Sequence, residues 1–309
     1  MKMMKTMIKR SSLLLMVLLA VNASRPVNAG GQTAVQTDAQ TTATINKATK
    51  EAQGKYANVN GLKMYYEIHG SGQPLVLLHG AFGFNEGWAP LLPALTKNHQ
   101  VIAIELQGHG HTNDIVDRPL SHEQMADDTA ALLAQLNVKE ADFFGYSMGG
   151  TVSLGVAIRH PQLVRKLAVL GSATGSMKDT FEPESYKQFL SLPAEFAPPV
   201  LKQPYDRMSP DPSRWPVLVT KIKNLGRDFK GYSTGDVKSI KAQVLIMLGD
   251  RDGTRPEHAV EMYRQIPKSQ LAIFPGEDHF IIFSNPDKVL SILMPFLDGP
   301  NKVPPKIGG

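Results

Sequence analysis

The sequence contains no cysteine among its 309 residues. This absence excludes disulfide bonds, a cysteine nucleophile, thiolate metal sites and a lipid-modified cysteine. A His-Glu-x-x-His metal motif is also missing, so no metal site is expected. A chain without such links depends on its apolar core for stability, and an apolar fraction of 42% suits a globular core.

The first 29 residues have the pattern of a secretory signal peptide. A basic start precedes residues 13–21, an uninterrupted apolar run that is shorter than the roughly 20 residues of a spanning helix. Cleavage is expected after Ala29, with Ala23 as the second candidate. We therefore expect export to the periplasm or the medium, with no membrane span in the mature chain. The alternative is an uncleaved N-terminal anchor.

The net charge of +5 comes from this leader. Residues 1–29 contain no acidic residue and five basic ones, which are Lys2, Lys5, Lys9, Arg10 and Arg25. Subtracting these five charges from +5 leaves zero for the rest of the chain. A nucleic-acid or membrane-surface partner is therefore not expected.

The chain between its two ends has the pattern of an α/β domain. Residues 30–54, rich in Thr, Ala and Gln, predict a flexible linker, and residues 299–309 predict a disordered tail. Between them, short apolar runs alternate with amphipathic segments, which predicts a parallel sheet with both faces covered. The candidate strands are residues 62–68, 74–78, 101–104, 141–144, 167–170, 244–248 and 271–274.

Residues 173–241 interrupt this alternation with eight prolines and scattered aromatic residues. Such a density excludes one long helix or a regular sheet across the segment. We expect an inserted cap over the carboxyl ends of the strands, where ligands bind in parallel sheets. The core then comprises residues 55–172 and 242–298. The alternative is an irregular surface excursion without a role in binding.

The segment Gly145-Tyr146-Ser147-Met148-Gly149 follows a candidate strand and opens a helical segment. A sharp strand-to-helix turn exposes the Ser147 hydroxyl, and the flanking glycines remove Cβ atoms that would clash there. A serine nucleophile also needs a base and an orienting acid. The chain supplies candidates downstream, in the order Ser147, Asp252 and His279.

His279 is the candidate base because it follows the last predicted strand, where a loop can carry its ring back to Ser147. A histidine with an ordinary pKa can take the serine proton and return it to a leaving group. The rival bases are His79, His109 and His111, which lie in predicted loops near the same edge.

These motifs resemble the serine hydrolases of the α/β-hydrolase superfamily, and the resemblance extends from Tyr56 to Asp298. It implies a mostly parallel, doubly wound sheet with a cap inserted after the sixth strand. The family pattern Gly-x-x-Asp-x-x-x-Pro matches residues 249–256 and places the orienting acid at Asp252, with Asp250 as the alternative.

The resemblance also implies two backbone donors for a developing negative oxygen. One is the N–H of Met148, and the other is the N–H of Ala81, with Phe82 as the alternative. His79 is expected to hold this loop in shape. Residues 105–112 resemble a further family segment, in which Glu105 replaces a common aspartate and His111 stands near an arginine or serine position. These departures are expected to affect loop packing more than chemistry.

Three aromatic residues, Phe82, Trp88 and Tyr146, are candidate pocket residues, although aromatic side chains also serve ordinary packing. The glycine spacing does not match a dinucleotide-binding loop, so no cofactor is expected.

The sequence thus predicts an exported serine hydrolase that cleaves a small or medium carboxylic ester through an acyl-enzyme. The expected partner is a small acyl substrate. Alternatives on the same three residues are a C–C bond hydrolase, a lactonase, an amidase or a cofactor-free perhydrolase. An alternative of another class is a non-catalytic binding or sensor protein on the same scaffold.

Overall fold

The computed structural model describes residues 54–301. The predicted signal peptide and all of the predicted linker except Gly54 lie outside the described residues, as do residues 302–309 of the predicted tail. The first tail residues are held by the core, since the Gly299 carbonyl accepts a hydrogen bond of 2.7 Å from Lys166 Nζ.

Eight strands form one sheet in the order β1-β2-β4-β3-β5-β6-β7-β8. The first two strands pair antiparallel at one edge, β2 also pairs antiparallel with β4, and the other neighbours are parallel. The mostly parallel sheet predicted from the sequence is thereby confirmed. The strands are β1 Lys55–Val59, β2 Leu62–His69, β3 Gln73–Leu78, β4 His99–Ile104, β5 Ala141–Tyr146, β6 Val164–Leu170, β7 Gln243–Gly249 and β8 Ser269–Phe274.

The sequence pattern missed strand β1. Its side chains are mostly exposed, so it has no apolar run to mark it. A tight turn at Asn60 and Gly61 joins it to β2, and both residues have a positive φ, as hairpin turns of this kind require.

Alternation along the central strands divides the core between the two faces of the sheet. Val76 and Leu78 of β3 belong to one buried cluster, whereas Leu75 and Leu77 belong to the other. Each fully buried Leu or Val contributes about 1.5–3 kcal/mol to folding. A sheet buried on both faces is thus held rigid, and its carboxyl edge is a stable base for loops.

Helices cover both faces of this sheet. The first buried cluster includes residues of the helices His122–Gln135, Met148–Arg159 and Pro256–Gln265, and the second includes residues of the helices Leu92–Leu95 and Pro286–Asp298. The core helices are α1 Leu92–Leu95, α2 His122–Gln135, α3 Met148–Arg159, α9 Pro256–Gln265, α10 Ile281–Ser284 and α11 Pro286–Asp298, with short 3₁₀ turns at Asn85–Trp88 and Pro161–Leu163.

The segment between β6 and β7 is more regular than its proline content indicates. Several prolines occupy the first turn of a helix, where a missing N–H costs nothing, so they begin helices rather than break them. Five helices result: α4 Met177–Thr180, α5 Pro183–Leu190, α6 Pro199–Met208, α7 Trp215–Asp228 and α8 Thr234–Lys238, with a 3₁₀ turn at Pro212–Arg214.

Helix α7 is fixed to the core by a cluster of charges around Asp114. Both carboxylate oxygens of Asp114 lie 2.9 Å from Lys221 Nζ, and one lies 2.6 Å from Arg214. Burial raises the pKa of Asp114, but hydrogen bonds from Lys221, Gln107 and Arg214 outweigh it and hold the pKa below its ordinary value. The carboxylate therefore stays charged, and it ties the segment 173–241 to the loop after β4.

Candidate active site

Ser147 lies at the sharp turn between β5 and α3, with φ 54° and ψ −122°. This region of backbone space is unfavourable for a residue with a side chain, at a cost of about 1–3 kcal/mol. The Ser147 N–H donates a hydrogen bond of 2.8 Å to the Leu170 carbonyl, which holds the turn in place. A Cβ atom on Gly149 would lie 2.1 Å from the Leu78 carbonyl oxygen, so only glycine permits this close approach.

The structure brings Ser147, His279 and Asp252 together from three strand ends. Ser147 Oγ lies 3.0 Å from His279 Nε2, and His279 Nδ1 lies 2.8 Å from Asp252 Oδ2. The other carboxylate oxygen of Asp252 accepts the Thr254 N–H at 2.8 Å. Because the carboxylate can only accept, Nδ1 carries the proton and Nε2 is left to accept from the serine hydroxyl.

The electrostatics of these three hydrogen-bonded residues suit His279 as a general base. Burial lowers the pKa of His279, but the charge of Asp252 and its hydrogen bond outweigh burial and raise the pKa above its ordinary value of 6.5. The side chain of Asp252 is 1% exposed, so little water screens it from the ring. An activity that needs neutral His279 should therefore fall as the pH drops through this raised pKa.

The alternative acid, Asp250, forms a different hydrogen bond. It is exposed, and its Oδ1 accepts the Gly276 N–H at 2.8 Å. It fixes the turn that precedes His279 and has no contact with the ring. Asp278, next to His279, likewise accepts a backbone N–H, from Phe280 at 2.8 Å.

The three rival histidines have structural contacts of their own. His79 Nε2 accepts the Leu106 N–H at 3.1 Å, and its Nδ1 lies 2.8 Å from the Gly80 carbonyl, so the ring fixes the loop after β3. His109 Nδ1 lies 2.9 Å from the Gln107 carbonyl. Burial lowers the pKa of His79 to about 3 and that of His109 to about 4, which keeps both rings neutral.

His111 contacts Glu105 rather than Ser147. Glu105 is fully buried, and its Oε2 lies 3.1 Å from His111 Nδ1 while its Oε1 accepts the Asn85 N–H. The hydrogen bond that the His111 ring donates to Glu105 raises the pKa of His111. The glutamate thus joins two loops of the rim by its longer side chain, which is a role in loop packing.

The predicted backbone donors lie beside Ser147. A Cβ atom on Gly80 would approach Ser147 Cβ to 3.1 Å, so the loop that contains Ala81 runs directly against the nucleophile. Met148 is the first residue of α3, and its N–H has no acceptor within the helix. Ala81 and Met148 both line the cavity above Ser147, and so does the alternative donor Phe82.

Sequence reasoning missed the glycine at the end of β6. Gly171 has φ 61°, and a Cβ atom there would lie 2.9 Å from two atoms of the His279 ring and 3.0 Å from Asp252 Oδ2. The next residue, Ser172, donates a hydrogen bond of 3.0 Å to the Ser147 carbonyl. Its position in the sequence could have identified it, because this glycine directly follows a predicted strand that ends at the same edge of the sheet as Ser147.

Tyr146 has a second contact beyond the predicted pocket role. Its hydroxyl donates a hydrogen bond of 3.0 Å to the His279 carbonyl, and its ring centroid lies 5.2 Å from that of the imidazole. Burial, then the charges of Asp252 and Asp278, raise the pKa of Tyr146 well above its ordinary value. The hydroxyl therefore stays protonated and connects the turn at Ser147 to the loop of His279.

A cavity of about 570 Å³ opens above Ser147, between the core and the helices of residues 173–241. The predicted pocket residues Phe82, Trp88 and Tyr146 all line it. Trp88 also packs against Phe144 in the core, and Phe82 packs against Trp215 of α7. Most other lining side chains are apolar, among them Met177, Phe181, Phe189, Leu192, Phe196, Leu201, Ile222, Leu225 and Phe229.

Residues 54–301 contain neither a metal cluster nor a membrane-spanning helix. No group of three or more His, Asp or Glu side chains in this part of the chain could hold a metal ion. No helix among the same residues combines the length and the apolar character that crossing a membrane requires.

Comparisons with known proteins find hydrolases among the chains similar to this one. The chain is 34% identical over 116 residues to the 2-hydroxymuconate semialdehyde hydrolase of Pseudomonas sp. (strain CF600), which covers 37% of this chain and 41% of that relative's length. It is 24% identical over 263 residues to the (E)-2-((N-methylformamido)methylene)succinate hydrolase of Acinetobacter baylyi, covering 77% of this chain and 95% of the relative.

A solved structure shares the fold over most of the chain. The crystal structure of a putative lipase from Acinetobacter baumannii AYE superposes with a TM-score of 0.70 at 23% identity, covering 86% of this chain and 98% of that one. The family model described as "Alpha/beta hydrolase family" matches residues 75–292, which is more than half of the chain. The chain therefore belongs to the α/β-hydrolase family.

Proposed function

We propose that this protein is a serine carboxylesterase that acts on an ester with an apolar acyl group. The observation that carries the proposal is the hydrogen-bonded chain from Ser147 through His279 to Asp252 at the base of an apolar cavity. Nucleophile, base and orienting acid in this arrangement are suited to acyl transfer.

The first half of the reaction forms an acyl-enzyme. Ser147 Oγ attacks the ester carbonyl carbon while His279 Nε2 takes the hydroxyl proton, and Asp252 stabilises the resulting imidazolium. The N–H groups of Ala81 and Met148 stabilise the negative oxygen of the tetrahedral intermediate. His279 then gives its proton to the departing alcohol oxygen as the C–O bond breaks.

The second half releases the acid. A water molecule gives a proton to His279 and attacks the acyl carbon, and the collapse of the second tetrahedral intermediate returns the proton to Ser147. This sequence consumes one ester and one water and yields one alcohol and one acid, so no cofactor is needed.

The character of the cavity favours an apolar ester over a charged substrate. Arg251 is the single Lys or Arg among the described residues that line it, and this side chain is exposed to solvent. A muconate or a succinate carries carboxylates, and burying these ions without a cationic partner is costly. The putative lipase that shares the fold agrees with an ester substrate.

The test is hydrolysis of a chain-length series of nitrophenyl esters by residues 30–309 and by the Ser147→Ala variant. We expect turnover in the wild type and a loss of roughly 10⁵-fold or more in the variant. The chain-length profile then measures how much of the cavity an acyl group fills. Turnover that survives in Ser147→Ala would contradict the role of Ser147.

A fluorophosphonate probe separates the remaining outcomes. Labelling of Ser147 without ester turnover would favour the alternatives on the same residues, such as a lactonase or C–C bond hydrolase. A folded protein that does not label would favour a non-catalytic binding protein instead. In either case the carboxylesterase proposal fails.

We also propose that the protein is exported, on the pattern of residues 1–29. N-terminal sequencing of the mature protein, recovered from periplasm and medium separately, tests this. The expected first residue is Gly30, and a start at Ser24 would select the other cleavage site. A mature protein that still begins at Met1 would contradict cleavage.

A further inference from the structure

Two side chains that line the cavity have a buried nitrogen without a hydrogen-bond partner within residues 54–301, Trp88 at Nε1 and His122 at Nδ1. The buried polar residues that line the cavity are His79, His122, Thr151, Ser172, Thr180 and Asp252. All of these except His122 form hydrogen bonds with the protein. Within residues 54–301, Nδ1 of His122 is buried without a partner, and the residue is only 7% exposed.

His122 is surrounded by apolar groups. Its ring centroid lies 4.4 Å from that of Phe229, and Ile222 and Leu225 line the same cavity. Burial lowers the pKa of His122 to about 4, and the nearby charge of Glu123 opposes this only in part. The ring is therefore neutral at physiological pH and offers one N–H donor and one lone pair.

The two ring nitrogens differ in their access to the cavity. Nδ1 is sealed inside the protein without a partner and Nε2 is not, so Nε2 is the ring nitrogen that a molecule in the cavity can reach. A buried N–H without an acceptor is rarer in proteins than a buried lone pair without a donor. This difference favours the tautomer in which Nε2 carries the proton, with a donor aimed into the cavity.

The helix register places this donor at a distance from the nucleophile. A Cβ atom on Gly155 of α3 would lie 3.3 Å from Ala126 Cβ of α2, so the two helices pack closely there. His122 lies four residues before Ala126 on α2, and Thr151 lies four residues before Gly155 on α3. Both residues line the cavity. Because Thr151 follows Ser147 by roughly 6 Å of helix rise, the donor lies several bonds away from an ester carbonyl at Ser147.

We propose that His122 is the polar anchor of the cavity and that its Nε2–H donates a hydrogen bond to an uncharged oxygen of the substrate. The substrate class is an ester that carries a ketone, ether or hydroxyl oxygen within an otherwise apolar chain. A carboxylate is excluded at this position because a neutral imidazole among apolar groups does not offset the loss of its hydration. The inference rests on the proposed esterase function and specifies its substrate.

The experiment compares matched pairs of nitrophenyl esters. One member of each pair has a plain acyl chain, and the other has a ketone at the fourth, fifth, sixth, seventh or eighth carbon. A second series places the ketone in the alcohol portion instead. The quantity measured is the ratio of kcat/KM for the keto ester to that for the plain ester, in the wild type and in His122→Phe.

We expect one ketone position to give a clear maximum of this ratio in the wild type. In His122→Phe, which keeps a ring against Phe229 but removes both nitrogens, the ratio at that position should fall by roughly tenfold. Thr151→Val is the matched control, because the Thr151 hydroxyl already bonds to the Ala173 carbonyl at 3.0 Å. This control should keep the wild-type maximum, and thermal melting checks that both variants are folded.

A binding measurement makes the inference independent of turnover. Dissociation constants of the same ester pairs are measured on Ser147→Ala and on Ser147→Ala with His122→Phe. A keto preference that depends on His122 supports the anchor even where no ester is cleaved, in which case only the proposed reaction fails. Ratios that are equal with and without His122 at every ketone position overturn the anchor and leave His122 a structural residue.

Discussion

The two walls of the cavity are built in different ways. The core wall carries Ser147, His279 and Asp252 on loops at strand ends, and hydrogen bonds fix each of these side chains. The opposite wall presents apolar side chains on helices that are tied to the core through Asp114. Chemistry thus depends on the geometry of the core, whereas most of the apolar surface that meets a substrate comes from helices that can vary without disturbing it, and His122 of the core helix α2 adds a polar group to that surface.

Among substitutions that compare the two walls, Asp252→Asn in the core wall is expected to have the largest effect. An asparagine at this position leaves the packing intact but no longer holds the Nδ1–H tautomer of His279 or stabilises the imidazolium. The value of kcat should fall by about 10⁴-fold. Steady-state kinetics on the best ester, with circular dichroism as the check on folding, measure this change.

The matched control for that substitution is Asp250→Asn. Asp250 lies two residues earlier and accepts only the Gly276 N–H. Its replacement should change kcat by less than about tenfold. A greater loss in Asp250→Asn than in Asp252→Asn would mean that the roles of the two carboxylates are reversed.

Asp114→Asn is expected to weaken the attachment of α7 to the core without changing the contacts of the catalytic residues. Lys221 is 12% exposed, and this change leaves it without its carboxylate partner. The free energy of unfolding should fall by about 3 kcal/mol. Urea unfolding monitored by tryptophan fluorescence measures this loss, because Trp215 is the first residue of α7.

Asp127→Asn is the control for Asp114→Asn. Asp127 pairs with Arg159 and His160 away from the cavity, with about a third of its side chain exposed. Such a pair contributes at most about 1 kcal/mol. Equal destabilisation by the two substitutions would show that the cluster at Asp114 has no special part in holding α7.

Gly171→Ala should damage the core wall through geometry alone. The added methyl group would lie 2.9 Å from His279 Nδ1 and 3.0 Å from Asp252 Oδ2, so the ring has to shift. A displacement of this size costs about 10²-fold in kcat. Gly276→Ala is the control, since Gly276 also has a positive φ but its Cβ would meet nothing within 4 Å. Equal kcat values in the two variants would mean that any loss comes from backbone strain at a positive φ and not from contact of the methyl group with His279 and Asp252.

The sequence predicted those parts of the site that depend on local pattern. Ser147, Asp252 and His279 each follow an apolar run, and the order of strands in a parallel sheet brings such positions to one edge. His122 and the carbonyl contact of Tyr146 depend on residues more than one hundred positions away. No local pattern marks such contacts. The helices of residues 173–241 were likewise hidden, because proline at a helix start resembles proline in a loop.

The smallest effect is expected from Tyr146→Phe, which tests whether the core wall is held as one unit. This substitution removes the hydrogen bond from the phenol to the His279 carbonyl while keeping the ring beside the imidazole. One neutral hydrogen bond contributes about 1 kcal/mol, so kcat should fall by about threefold to tenfold with little change in KM. Stopped-flow acylation on the best ester measures the change directly.

Tyr232→Phe is a close control for this last substitution. The Tyr232 hydroxyl donates a bond of the same length, 3.0 Å, to the carbonyl of Thr151, which lines the cavity but does not carry the base. Both variants should lose a similar amount of stability, because each loses one buried hydrogen bond to a backbone carbonyl. Only Tyr146→Phe should slow acylation, since only this bond positions the loop of His279. If both variants slow it equally, the effect comes from general loosening of the core, and the distinction between a precisely held catalytic wall and an adaptable substrate wall loses its physical basis.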